Sequence, residues 1–132
     1  MCEKKIALFG LPGAFTPTCS ANHLPGFVKH ADEMLNYVDE IWCVAVNDAF
    51  VMDAWGGQQK AVGKIRMFAD GSGSMTNTLG LNLDLTHRGM GIRMRRFSML
   101  LINGVVENIN IEETGKFEVS SAEIMLDQAK KI

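Results

Sequence analysis

Ile6-Ala7-Leu8-Phe9-Gly10-Leu11-Pro12-Gly13-Ala14-Phe15-Thr16-Pro17-Thr18-Cys19 carries four apolar residues into a glycine- and proline-rich turn that ends on a cysteine. The first four read as a short apolar strand, and Thr18 or Ser20 can cap a helix that continues through His23-Leu24. Cys19 then falls in the first turn of that helix, where unpaired backbone N–H groups and the positive end of the dipole favour sulfur as an anion. An unpaired cysteine is more often a small buried hydrophobe. Two prolines, a threonine and a glycine packed around this one describe instead a shaped loop with a chemical task.

Outward from this junction the elements alternate. Residues 20–37 read as helix, with Leu24, Phe27, Val28, Ala31, Met34 and Leu35 at three- and four-residue spacings and a kink expected at Pro25-Gly26. Ile41-Trp42-Cys43-Val44-Ala45-Val46 is a continuous apolar run, the pattern of a central strand buried on both faces. Asn47-Asp48 caps a second helix, through Phe50, Val51 and Trp55, expected to end near Gly63. A strand over 65–69 and a short helix over 75–79 follow. In the last third, Phe97-Ser98-Met99-Leu100-Leu101-Ile102 and the run from Val105 to Ile111 flank Asn103-Gly104, a strong hairpin signal. Ser120 or Ser121 caps a final helix, with Glu123 behind it and Ile124, Met125 and Leu126 as apolar anchors.

The order β-α-β-α-β-α-β-β-α predicts an α/β domain with a mixed central sheet and helices on both faces, the thioredoxin-like plan. The 132 residues contain no internal repeat and no composition shift beyond Gly71-Ser72-Gly73-Ser74, so residues 1–132 read as one domain. A net charge of -2 gives no electrostatic case for nucleic acid or an anionic membrane surface. No apolar run approaches the ~18 residues that span a bilayer. Lys4 and Lys5 precede too short an apolar stretch for a signal peptide, so a cytoplasmic, reducing location is expected.

Cys2, Cys19 and Cys43 are odd in number, widely spaced and without Cys-x-x-Cys, so neither a disulfide framework nor a zinc site is suggested. His23 follows Cys19 by four residues and shares its helical face. It reads first as a histidine packing or hydrogen bonding at a helix start, with a metal pair or a thiolate–imidazolium pair as alternatives. A nucleophilic thiolate needs a cation and hydrogen-bond donors as well as a dipole. Thr16 is near enough across the loop to donate its hydroxyl to the sulfur, and Pro12 can shield the site from water. The stretch from His87 to Arg96 holds Arg88, Arg93, Arg95 and Arg96, most of them expected in solvent. Arg96 abuts the buried strand that starts at Phe97 and so can be held against the sheet near Cys19; the alternative is that the whole cluster is a surface patch. Other chemistries fit less well. There is no Gly-Lys-Ser/Thr for a P-loop, Pro25 stands where a Cys-x5-Arg phosphatase needs arginine, and His30 and His87 lack the context of a cysteine-protease partner.

Pro12-Gly13-Ala14-Phe15-Thr16-Pro17-Thr18-Cys19 resembles the Pro-x-x-x-Thr-x-x-Cys signature of peroxiredoxins. His23-Leu24-Pro25-Gly26-Phe27, Val46-Asn47-Asp48-Ala49-Phe50-Val51 with Trp55, and Arg93-Met94-Arg95-Arg96-Phe97-Ser98-Met99 are similar to the peroxiredoxin-5, or type II, branch. The resemblance covers nearly the whole chain in order. It implies the peroxiredoxin form of the thioredoxin-like fold and a thiol-dependent peroxidase acting on hydrogen peroxide and organic hydroperoxides. Cys19 would be the peroxidatic thiolate and become a sulfenic acid. Thr16 and Arg96, the position matching the family's active-site arginine, would activate sulfur and peroxide, and Pro12 would limit water access. No cofactor and no metal is implied.

Recycling is expected from an external thiol, glutathione with glutaredoxin or thioredoxin, because residues 114–132 contain no cysteine and Cys43 reads as buried. A homodimer formed near the active-site loops is expected by analogy with the family. Members usually carry further N-terminal strands before the one corresponding to Ile6–Phe9, on which this sequence begins almost directly; organelle targeting stays open if the N-terminus is truncated. The competing reading is a thioredoxin-like redox sensor or binding module with little turnover. The complete set Pro12, Thr16, Cys19 and Arg96 favours the enzyme over that module.

Overall fold

The computed structural model describes residues 4–132, so Cys2 lies outside the described residues. Strand β1 (Lys5–Gly10) leads through the Pro12–Thr16 loop into a π-helical turn (Cys19–His23) and helix α1 (Leu24–Met34). Then come β2 (Glu40–Ala45), α2 (Ala49–Gln58), β3 (Arg66–Ala69), α3 (Ser74–Leu79), β4 (Asn82–Leu85), β5 (Gly91–Met94), β6 (Phe97–Ile102), β7 (Val105–Ile111) and α4 (Ala122–Lys130). Five strands form one mixed sheet in the order β3-β2-β1-β6-β7. β1 lies parallel to β2, Phe9 opposite Cys43, and antiparallel to β6, Phe9 opposite Ser98. The apolar runs in β1 and β2 exist because these strands are covered on both faces.

Side chains alternate between two cores along β1. Ala7 and Phe9 face a core shared with Phe27 and Met34 of α1, Met52 and Trp55 of α2, and Met125 of α4. Leu8 faces the other side, with Leu81, Met94, Phe97 and Met99. Phe9 stacks on Phe27 at 3.9 Å between ring centroids, which fastens α1 to the central strand; burying each ring contributes roughly 1.5–3 kcal/mol. Gly10 ends β1 where a Cβ would collide with the Phe97 ring and lie 2.6 Å from Met94 Sδ.

The Asn103-Gly104 turn has both residues at positive φ, 53° and 81°, the geometry that joins β6 to β7. The structure corrects the sequence reading at three points and decides between its two candidate caps for the last helix. The second face of the sheet is covered by α3 and by a two-stranded sheet, β4 paired with β5, which the sequence order omits. α2 ends at Gln58 rather than near Gly63. Lys60 takes φ 60°, Lys60 N–H donates to Gly57 O, and Ala61 N–H donates to Gly56 O, a Schellman stop built without glycine at the left-handed position. The first helix starts at Pro17 after Thr16, and neither Thr18 nor Ser20 caps it. At the last helix Ser121 is the cap, accepting from Ile124 N–H, while Ser120 is buried in other bonds.

Candidate active site

Pro17 occupies the first helical position, where a missing N–H costs nothing, and Ser20 N–H closes the first turn on Thr16 O at 2.9 Å. Pro25 has no N–H to offer the carbonyl four residues back, and the expected kink takes the form of a widened turn. The Leu24 N–H bonds to Cys19 O, five residues earlier, which makes Cys19–His23 a π-turn. Cys19 thus sits in the first helical turn as the sequence implied, 1 % exposed.

Arg96, in the junction between β5 and β6, reaches this sulfur: its Nη2 donates to Cys19 Sγ at 3.2 Å. Its Nη1 donates to His23 Nδ1 at 2.8 Å, and its Cζ lies 5.7 Å from the centroid of the Phe117 ring. Two nitrogens of one planar guanidinium are therefore aimed at two side chains of the same π-turn, a pre-organised fork. Arg88 is exposed as expected, but Arg93 and Arg95 are less solvated than the sequence reading has them. Arg93 donates from Nε to Met90 O and from Nη1 to Pro12 O (3.4 Å) and Val46 O (3.2 Å), while Arg95 Nη2 donates to Glu112 O. Arg93 accordingly ties the Pro12 loop to the end of β2, and Asn47 Oδ1 strengthens the tie by accepting from Ala14 N–H at 2.8 Å. Asp48, not Asn47, is the cap of α2, accepting from Val51 N–H.

Thr16 departs from its expected contact. Its hydroxyl donates to Gly13 O at 2.7 Å rather than to the sulfur, so its one proton braces the loop and its lone pairs remain for an incoming donor. Pro12 is half-buried and contributes its carbonyl to Arg93. From α2, Trp55 Nε1 donates to Ser20 Oγ and Gln59 Nε2 to Ser20 O, fixing the π-turn from the other side.

His23 is the residue whose role the sequence left open. It is fully buried, ringed by Phe9, Phe27 and Phe117, and its Nε2 lies 2.8 Å from Ser120 O. A carbonyl only accepts and a guanidinium only donates, so Nε2 carries the proton and Nδ1 offers the lone pair. Burial, then the Arg96 charge, push its pKa down from 6.5 to about 3 against the opposing bond to Ser120. A neutral His23 rules out the thiolate–imidazolium pair, and with both ring nitrogens engaged it has none for a metal. The reading of a histidine hydrogen bonding at a helix start holds, with the added feature that its partner is the Cys19 arginine. Among the described residues, no three His, Cys, Asp or Glu side chains are grouped as metal ligands.

Cys43, on β2, is wholly buried; burial, then the charge of Cys19, raises its thiol well above the usual value of 9.0. A cavity of about 430 Å³ lies elsewhere, lined by residues including Asp53, Gly56, Val62 and Met67, none of which belongs to the Cys19 cluster. The buried thiol with the charged donor of Arg96 on its sulfur is suited to attack a small, polarisable electrophile whose leaving group gains negative charge.

Known proteins are similar to this chain over most of its length. The family model described as Redoxin matches residues 2–126. Peroxiredoxin-2D of Arabidopsis thaliana is 53% identical over 124 residues, covering 93% of this chain and 76% of that protein. The crystal structure of reduced Prx3 from Vibrio vulnificus in complex with hydrogen peroxide superposes with a TM-score of 0.92 at 48% identity, over 96% of this chain and 78% of that one. Peroxiredoxin 5 from Alvinella pompejana superposes with a TM-score of 0.87 at 32% identity, over 98% and 80%. The expected thioredoxin-like peroxiredoxin fold is the fold observed.

Proposed function

From the premise that this chain belongs to the peroxiredoxin family and is a thiol-dependent peroxidase, we propose that Cys19 is its peroxidatic residue, with Arg96, Thr16 and Pro12 as its partners. The observation that carries the assignment is the Arg96 Nη2 bond to Cys19 Sγ at 3.2 Å. Cys19 attacks as thiolate: a sulfur–oxygen bond forms, the O–O bond breaks, and the electron pair leaves with the distal oxygen, which departs as water or alcohol after taking a proton. Sulfur becomes the sulfenic acid. Arg96 contributes donors to the oxygen that gains charge, as positioned donors in a dry site do most effectively. Thr16 Oγ1, with its own proton on Gly13 O, accepts the hydrogen of the attacked oxygen. Pro12, held through its carbonyl by Arg93, keeps bulk water out.

The finer reading is of a type II, peroxiredoxin-5-like enzyme with one working cysteine. Cys43 is buried under β-sheet packing, and residues 114–132 contain no cysteine. The sulfenic acid therefore condenses with an external thiol, releasing water, and a second thiol frees Cys19 as the external disulfide forms. Glutathione with glutaredoxin, or thioredoxin, fits that role. A homodimer through the loops near Phe15 and Phe50, both exposed, and a cytoplasmic location complete the proposal. None of the helices among the described residues is long and apolar enough to cross a membrane.

The test follows peroxide consumption with each thiol system in the Cys2→Ser, Cys43→Ser double variant and in Cys19→Ser. The double variant should keep turnover with at least one system and Cys19→Ser should lose it with all. Loss of turnover in the double variant with every thiol would refute the one-cysteine reading, and turnover in Cys19→Ser would refute the assignment of Cys19.

A further inference from the structure

A buried carboxylate stands two bonds behind the active-site histidine. Glu112, just past the end of β7, is 3% exposed. Its single oxygen Oε2 accepts four hydrogen bonds: from the N–H groups of Glu118 (2.7 Å), Val119 (2.8 Å) and Ser120 (2.8 Å), and from Ser120 Oγ (2.7 Å). Three consecutive backbone donors converging on one anion is a nest that forces the 118–120 backbone into a single shape. Burial pushes the Glu112 pKa up, but the Ser120 hydroxyl and the three N–H groups outweigh it and hold the carboxyl below its ordinary value.

The segment so folded faces the thiol site twice. The Ser120 carbonyl accepts from His23 Nε2 at 2.8 Å, and Phe117, one residue before the nest, lies 5.0 Å from the His23 ring and 5.7 Å from the Arg96 guanidinium. Ser120 is gripped from both sides, by Glu112 through its N–H and hydroxyl and by the Ser121 cap of α4 through the next peptide. Its carbonyl direction is fixed, which fixes the tautomer of His23, and the Nδ1 lone pair in turn fixes Arg96 Nη1. A loop staple that served stability alone would not need to end on the one carbonyl that sets this tautomer.

We propose that Glu112 is a positioning residue for the peroxidatic reaction, acting through Ser120 and His23 to aim the Arg96 guanidinium at Cys19 and the peroxide. The proposal rests on the roles given to Cys19 and Arg96 above. Replacing the carboxylate by an amide leaves an uncharged oxygen facing four donors, so the nest loosens while the side-chain volume is kept.

The experiment measures the second-order rate of Cys19 oxidation by hydrogen peroxide in Glu112→Gln, placed in the wild-type and in the Arg96→Ala background. The 15N signals of His23 report the tautomer alongside. If Glu112 acts through Arg96, Glu112→Gln slows the wild-type background at least about tenfold, slows the Arg96→Ala background by less than about twofold, and disturbs the Nε2–H tautomer pattern. An equal fold loss in both backgrounds, or a wild-type rate with unaltered His23 signals, overturns the proposal. An Arg96→Ala rate equal to wild type overturns the reading of Arg96 as well, which separates the two failures. Should Glu112→Gln fail to fold, Ser120→Ala, which removes one of the four bonds and keeps the backbone, is carried through the same two backgrounds and judged by the same criterion.

Discussion

The Nδ1 of His23 accepts a hydrogen bond from Arg96 Nη1 at 2.8 Å, and this neutral ring is the fixed point on which the guanidinium is aimed at Cys19. The pairing is a charged donor on an acceptor fully removed from water, so it lies in the stronger class of hydrogen bonds, about 1.5–3 kcal/mol. His23→Phe keeps the aromatic packing against Phe9, Phe27 and Phe117 but removes the acceptor. It should slow Cys19 oxidation by hydrogen peroxide about 10- to 100-fold, read by rapid mixing. An unchanged rate would show that Arg96 is oriented without His23.

The same ring makes stability depend on pH. His23 takes its proton near 6.5 when unfolded and only at about 3 when folded, so its contribution is complete above pH 6.5 and is lost as pH falls toward 3. The slope approaches about 1.4 kcal/mol per pH unit. Glu112 and Asp70 have lowered carboxyl pKa values and act in the same direction only below their ordinary values of 4.5 and 3.8. Urea unfolding between pH 6.5 and 4.5 should therefore show a decline that His23→Gln abolishes. A decline of equal slope in the variant would contradict the buried neutral histidine.

Thr16 separates bracing from chemistry. Thr16→Ser keeps the hydroxyl that reaches Gly13 O and should retain most of the peroxide rate. Thr16→Val loses the bond and the lone pairs, costing about 0.5–1.5 kcal/mol of stability. It should also cost at least about tenfold in rate if the hydroxyl accepts from peroxide. Equal rates for the two variants would remove Thr16 from the reaction.

Gly10 marks how closely β1 and the β5–β6 junction approach. Gly10→Ala forces its methyl into the Phe97 ring and against Met94, and should destabilise by about 1–3 kcal/mol in thermal unfolding. A variant as stable as wild type would show that the Phe97 side can yield.

Much of this is legible in the sequence alone. The apolar runs of β1 and β2 and the Asn103-Gly104 turn are local patterns with local causes, and so is the position of Cys19 in a first helical turn. The β4–β5 hairpin was not legible, because its strands are four residues each and joined through a 3-10 turn (Thr86–Arg88) with Gly89 at φ 75° rather than a two-residue glycine turn. Its charges invited a solvated reading, whereas Arg93 is spent on carbonyls 47 and 81 residues away in sequence. For Thr16, spacing from Cys19 gives proximity but not direction, and in the folded loop its hydroxyl turns to the Gly13 carbonyl. The tie of His23 to Ser120 spans 97 residues and has no sequence pattern. His23 was marked in the sequence by its fourth-residue spacing from Cys19 and by its place in the His23-Leu24-Pro25-Gly26-Phe27 run, neither of which shows its partners, and the Glu112 nest left no sign beyond an acidic residue after an alternating strand.

The central claim is that Cys19, with Arg96 bonded to its sulfur, is the group that peroxide oxidises. Its most direct test is rapid mixing of reduced protein with hydrogen peroxide and with an organic hydroperoxide, comparing wild type with Arg96→Ala and with free cysteine. The account predicts Cys19 oxidation at least about a thousandfold faster than free cysteine, some 4 kcal/mol of transition-state stabilisation, with most of that advantage lost in Arg96→Ala. A Cys19 no faster than free cysteine would contradict it.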